Sequence, residues 1–215
     1  MVEILALREV DDEELKAVAK LVEEFGPPPV ELVVALVDDK IAEEAFGISG
    51  LGSARLITGE GHYTLLVRSP DKFSIWRELA FLEAMVDPRL MSIWSTPEQY
   101  RNEGDALALS LALLNRVADF RIALRDVKLL TSSFSPGDLP VDVDDLRRSL
   151  IYTLALDVTV SAALAGFSSL AEELYLKYRQ IPLKDIYTRF RNFVINNFKF
   201  EPIYNYLLLL GRPSR

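Results

Sequence analysis

His62 is the only histidine in the 215-residue chain, and there is no cysteine. Disulfide frameworks, cysteine nucleophiles, iron–sulfur clusters, cysteine zinc sites and multi-histidine metal sites are thereby excluded. His62 stands beside glycines at the start of an expected strand, which is the place of an exposed or backbone-bonded turn residue. Ser132, Ser133 and Ser135 have only that histidine to activate them, and this argues against a serine hydrolase triad. Gly47-Ile48-Ser49-Gly50-Leu51-Gly52 precedes a strand, does not join a strand to a helix and lacks a phosphate-loop lysine, so it reads as a loop. The acid pairs Asp11-Asp12, Asp38-Asp39 and Asp144-Asp145 could suggest glycosidase or magnesium chemistry. All three stand at expected helix starts, where acids favour the positive end of the helix dipole.

Charge is unevenly spread. Residues 1–60 hold fourteen acids against five bases, whereas from Tyr175 onward eight bases face two acids. The basic end interleaves aromatic residues with Lys177, Arg179, Arg189 and Arg191, the composition of a surface that stacks bases and contacts phosphates. The same residues admit a second reading. Ile186, Phe190, Phe193 and Phe198 are spaced as a core stripe that leaves Lys184, Arg191 and Arg189 on the wet side.

The elements follow from periodicity and punctuation. Val2 to Leu7 is an apolar opening strand, and Asp11 and Asp12 start an amphipathic helix that Gly26 and three prolines stop. Val30 to Val37 is β-branched and strand-like, Asp38 to Phe46 a short helix ended by Gly47, and Ala54 to Thr58 with His62 to Arg68 a hairpin around Gly59-Glu60-Gly61. From Ser69 the period becomes helical. A largely buried helix runs to Asp87-Pro88, and Thr96-Pro97-Glu98 predicts the start of a helix, with a break at Gly104, to about Leu130. Thr131 to Pro140 reads as a loop and linker, and four helices follow over 142–167, 168–178, 183–198 and 202–210. Ser149 to Phe167 approaches the length of a membrane span, but Asp157 at its middle makes it a buried core helix. The expected fold is α+β, predominantly helical with a small N-terminal mixed sheet, in one domain whose residues 1–130 form the α+β core and 131–215 a helical half.

The order strand, short helix, glycine-rich loop, hairpin and buried helix resembles the approach to the active-site helix of small zincin metallopeptidases. In that family the helix carries H-E-x-x-H, two zinc-binding histidines four apart with a general-base glutamate between them. Here the corresponding stretch is Arg77-Glu78-Leu79-Ala80-Phe81, with the glutamate kept and both histidines replaced. Asn102-Glu103 resembles the gluzincin helix that supplies a third ligand, and Asn115 to Ile122, which includes Asp119, resembles a further helix of small zincins. Arginine offers only donors and phenylalanine no ligand atom, so the resemblance implies a zincin-like fold with no metal, no cofactor and no peptidase activity.

In such a core Arg77 is expected to pair with Glu103 or Asp119, or failing those with Glu78, while Phe81 fills the space of the second ligand. The function so implied is binding or scaffolding with a protein partner. The other reading is a helical module that binds nucleic acid or protein through the basic aromatic end. The acidic start has no secretory or transit character, so a cytoplasmic location is expected. Only two glutamines and no cysteine suggest a thermophile.

Overall fold

A computed structural model describes residues 1–59, 61–134, 145–178, 180–181 and 183–210. The chain divides into two compact units, Met1–Val86 and Asp87–Arg215, and the division falls inside the stretch read as the α+β core.

The first unit is a four-stranded sheet with three helices. Strands β1 (Val2–Ala6), β2 (Leu32–Leu36), β3 (Ala54–Thr58) and β4 (Tyr63–Val67) are ordered β1-β2-β4-β3. The first two pairings are parallel, with Ile4 opposite Val34 and Val34 opposite Leu65, and β3 runs antiparallel to β4 at the edge. Leu32, Val34, Leu36, Leu65 and Val67 are buried on these central strands, which is why the sequence there is so continuously apolar. Helices α1 (Asp12–Phe25), α2 (Asp39–Phe46) and α3 (Lys72–Val86) supply the cover. Asp11 and Asp38 cap α1 and α2 by accepting from the Glu14 and Ile41 amides, each at 2.7 Å, so these acids do the capping expected of them. Gly47 ends α2 with φ +68°, a conformation glycine adopts without strain.

The second unit is entirely helical among its described residues: α4 (Pro88–Trp94), α5 (Gly104–Ser132), α6 (Leu146–Leu156), α7 (Val158–Leu164), α8 (Ser168–Tyr175), α9 (Lys184–Asn196) and α10 (Phe200–Leu210). Its core joins Leu109, Leu113, Leu154, Tyr187, Phe190 and Tyr204. No helix among the described residues is long and apolar enough to cross a membrane. The predominantly helical α+β fold with a small mixed sheet is thus present.

Several boundaries differ from expectation for local reasons. Asp87-Pro88 does not only stop α3; Asp87 accepts from the Arg89 amide at 2.9 Å and opens α4. Thr96 caps no helix, because its hydroxyl is bonded to Ser110 at 2.6 Å, and only a single 3-10 turn (Glu98–Tyr100) precedes the start of α5 at Gly104. Asp126 breaks the helical backbone inside α5 (φ −153°, ψ 88°) and its carboxylate accepts from the Leu129 amide at 3.0 Å, acting as an internal cap. The helix expected over 142–167 is two helices that meet at Asp157, which caps α7. Asp144 and Ser135 lie outside the described residues.

Candidate functional site

Helix α3 packs along the antiparallel edge strand β3. The Gly59 amide donates to His62 O at 2.9 Å and the Arg68 amide to Ser53 O at 2.8 Å. In an antiparallel ladder this parity turns the amides of 55, 57 and 59 toward β4 and those of 54, 56 and 58 away from it. The outward amide of Leu56 is taken by the Glu78 carboxylate, Oε2, at 2.8 Å. Burial pushes the Glu78 carboxyl above its ordinary range, while the Leu56 amide and the charges of Arg77 and Arg55 pull it down. The Arg77 guanidinium lies over the Phe81 ring, 5.3 Å from its centre, on the helix face the two share. Both side chains are partly buried.

This arrangement differs from a peptidase base poised over metal-bound water. One Glu78 oxygen is committed to a backbone amide, and the flanking side chains offer a ring and a cation, neither of which can ligate a metal. Among the described residues, no group of three or more histidine, aspartate or glutamate side chains is placed to hold a metal ion. His62 is exposed at the hairpin turn.

The raised carboxyl makes a pH test. Between the ordinary glutamate range and its own higher value, the folded state binds more protons than the unfolded one, so Glu78 costs stability as pH rises through that window. Glu78→Gln, whose amide oxygen can still accept from Leu56, is expected to be at least as stable as the parent at pH 7. The difference should vanish near pH 4, and thermal melts across pH read it. A variant clearly weaker at pH 7 would contradict this balance of burial and charge.

Glu103 and Asp119 belong to the second unit. Glu103 precedes α5 with no side-chain cap bond, and lines an open cavity of about 450 Å³ with Tyr100, Arg147 and Asn205. Asp119 is buried and accepts from Arg116 Nη2 at 2.7 Å. Arg116, 1% exposed, also donates to Ala155 O at 2.9 Å, while its Nε and Nη1 have no hydrogen-bond partner among the described residues.

Of the polyanion candidates, Arg191 is not at the surface. Arg191 is corrected: it is 1% exposed and faces the core, not the wet side. Its Nη1 donates to Glu172 at 2.7 Å, its Nη2 to Thr159 Oγ1 at 3.1 Å, and its Nε lies 3.4 Å from Asp157. Lys177 is exposed and paired with Glu173 at 2.6 Å, Arg189 is exposed and donates to the Asp185 carbonyl at 3.3 Å, and Arg179 lies outside the described residues. Tyr175, Tyr178, Tyr187 and Phe190, which base stacking would need exposed, are buried.

Sequence reading missed the polar centre that Arg191 serves. Asp157, fully buried, accepts from Tyr187 OH at 2.8 Å, Tyr178 OH at 3.3 Å and the Thr159 hydroxyl at 2.5 Å. Burial first, and the negative charge of Asp157 second, push both tyrosine hydroxyls far above their ordinary range, so they remain donors. The signal was one acid in a long apolar run, which has to find a cation if it is buried. Comparison with known proteins returned no matching family model, no similar curated protein and no similar solved structure.

Proposed function

We propose that this chain is a zincin-like protein that has lost metal chemistry and acts by binding, as a scaffold for a protein partner. The observation that carries the reading is the hydrogen bond from the Leu56 amide to Glu78, between two side chains that cannot ligate zinc. Support comes also from the layout around it: a sheet of three parallel strands, an antiparallel edge strand, and a buried helix laid along that edge with the retained glutamate facing it. On this reading the glutamate that would serve as general base now clamps strand to helix, and the Arg77–Phe81 pair fills the place of the two ligands.

The test is metal content together with cleavage. Purified protein is expected to carry far less than about one zinc per chain, to melt at the same temperature with and without chelator, and to leave unstructured peptides intact. Stoichiometric zinc, a chelator-dependent melt or peptide hydrolysis would each overturn the proposal.

A further inference from the structure

Strand β1 stands at the sheet edge opposite β3. The Leu32 amide donates to Met1 O and the Leu7 amide to Leu36 O, both at 3.0 Å. In this parallel register the odd-numbered residues of β1 bond to β2, so Val2, Ile4 and Ala6 turn their N–H and C=O groups out from the edge. Among the described residues no strand pairs with that side. Such an edge is a template for a further strand unless lysine, proline or a bulge blunts it, and Val2-Glu3-Ile4-Leu5-Ala6 contains neither residue.

The two faces beside this edge differ in chemistry. On one, Val2 and Ile4 meet Ala19, Val22 and Pro27 in an apolar cleft of about 290 Å³ that has Glu23 among its lining residues. On the other, Glu3 and Glu31 line a smaller cavity of about 120 Å³ with His62. The first 86 residues hold seventeen acids against eight bases.

We propose that the β1 edge takes up an extended segment of a partner protein in which apolar and basic side chains alternate. Side chains of an added strand point alternately to the two faces of the sheet. Those on the α1 side enter the apolar cleft, and those on the other side meet Glu3 and Glu31, so the partner must alternate as the faces differ. Outward backbone groups at Val2, Ile4 and Ala6 supply the hydrogen bonds, and acid opposite base supplies the selection. A second copy of this chain is a poor occupant, since pairing β1 with itself gathers Glu3, Glu23 and Glu31 of both copies about one edge. The inference rests on the reading that the chain acts by binding, and it names the partner class. It uses no residue of α3.

A fluorescein-labelled decapeptide alternating valine and lysine, titrated into the full chain by anisotropy, tests it. Binding is expected at 50 mM salt, weakening as salt rises, and at least tenfold weaker for a valine–glutamate peptide or for the same valines and lysines in two blocks. N-methylation of every second residue should abolish binding in one phase and spare it in the other, because only alternate amides face β1. Ile4→Pro, which removes an outward donor and no bond to β2, should abolish binding. Glu3→Lys with Glu31→Lys, both exposed positions on the face that meets the partner's basic side chains, should weaken it at least tenfold and keeps the test alive if Ile4→Pro does not fold. No binding of the alternating peptide, equal binding of the blocked peptide, equal effect of both N-methyl phases, or a dimer in sedimentation would each overturn the proposal. Cleavage of the peptide, read by mass spectrometry, would instead count against the binding-protein reading.

Discussion

Asp157→Ala is expected to destabilise the second unit by about 4 kcal/mol, the range for removing one partner of a buried ion pair. Three losses coincide. The Arg191 guanidinium, 1% exposed, keeps Glu172 and Thr159 but loses its buried counter-charge. The Tyr187 hydroxyl, in a side chain with no exposure, loses its acceptor, and α7 loses the carboxylate that accepts from the Thr159 amide at 3.0 Å. Each of the latter two is worth about 1 kcal/mol or more alone, and because they share one oxygen pair they do not add. Asp157→Asn, whose single amide oxygen can still accept either from the Thr159 amide or from Tyr187 but not from both on separate oxygens, should lose less than Asp157→Ala. Combining Asp157→Ala with Arg191→Met should recover part of the loss, since the uncompensated charge leaves with the arginine. Trp94 packs against the core of this unit, so its fluorescence in urea, read in a Trp76→Phe background, reports the transition. A loss below about 1 kcal/mol would mean that the network contributes no more than an exposed ion pair.

The legible parts of this chain were those fixed by neighbours in sequence. Ala54 to Thr58 was readable residue for residue because alternating strands flank paired glycines, and α1 and α2 because Asp11, Asp38 and the closing glycines bracket them. What failed depends on partners far along the chain. Thr96 carries every local mark of a cap, yet Ser110 holds its hydroxyl, and Ser110 in turn is bonded to Tyr204, so tertiary contact overrides the local signal. Arg191 has the spacing of a wet position. Its side chain turns inward toward Asp157, thirty-four residues earlier, whose buried Oδ2 lies 3.4 Å from its Nε. In the candidate site Arg77, Glu78 and Phe81 stand out in the sequence only through the resemblance to a metallopeptidase motif. That Glu78 meets the outward amide of Leu56 was not readable there, because ladder parity is set by the pairing register of β3 with β4.

Trp76→Ala is expected to cost the first unit about 4 kcal/mol, the range for truncating a buried aromatic to alanine. Trp76 is 4% exposed and joins α3 to α1 in two ways. Its indole N–H donates to the Leu21 carbonyl at 3.0 Å, and its ring meets Phe25 edge-on at 5.6 Å, where the indole fills the space between the helices. The Lys72 ammonium lies 4.3 Å above the same ring, so the substitution also strips a cation of its aromatic surface. Trp76→Phe keeps most of the ring contact and forfeits the hydrogen bond, which should cost nearer 1 kcal/mol. The larger loss has a local signature. Glu78 lies two residues beyond Trp76 and reaches β3 from the same helix, so loosening the seat of α3 frees the Leu56 amide before the centre of the sheet opens. Hydrogen exchange at Leu56 should therefore accelerate in Trp76→Ala by more than exchange at Val34, whose strand lies between two others. Equal acceleration at both amides would indicate global unfolding alone, and would remove Trp76 as the anchor that holds Glu78 against the edge strand.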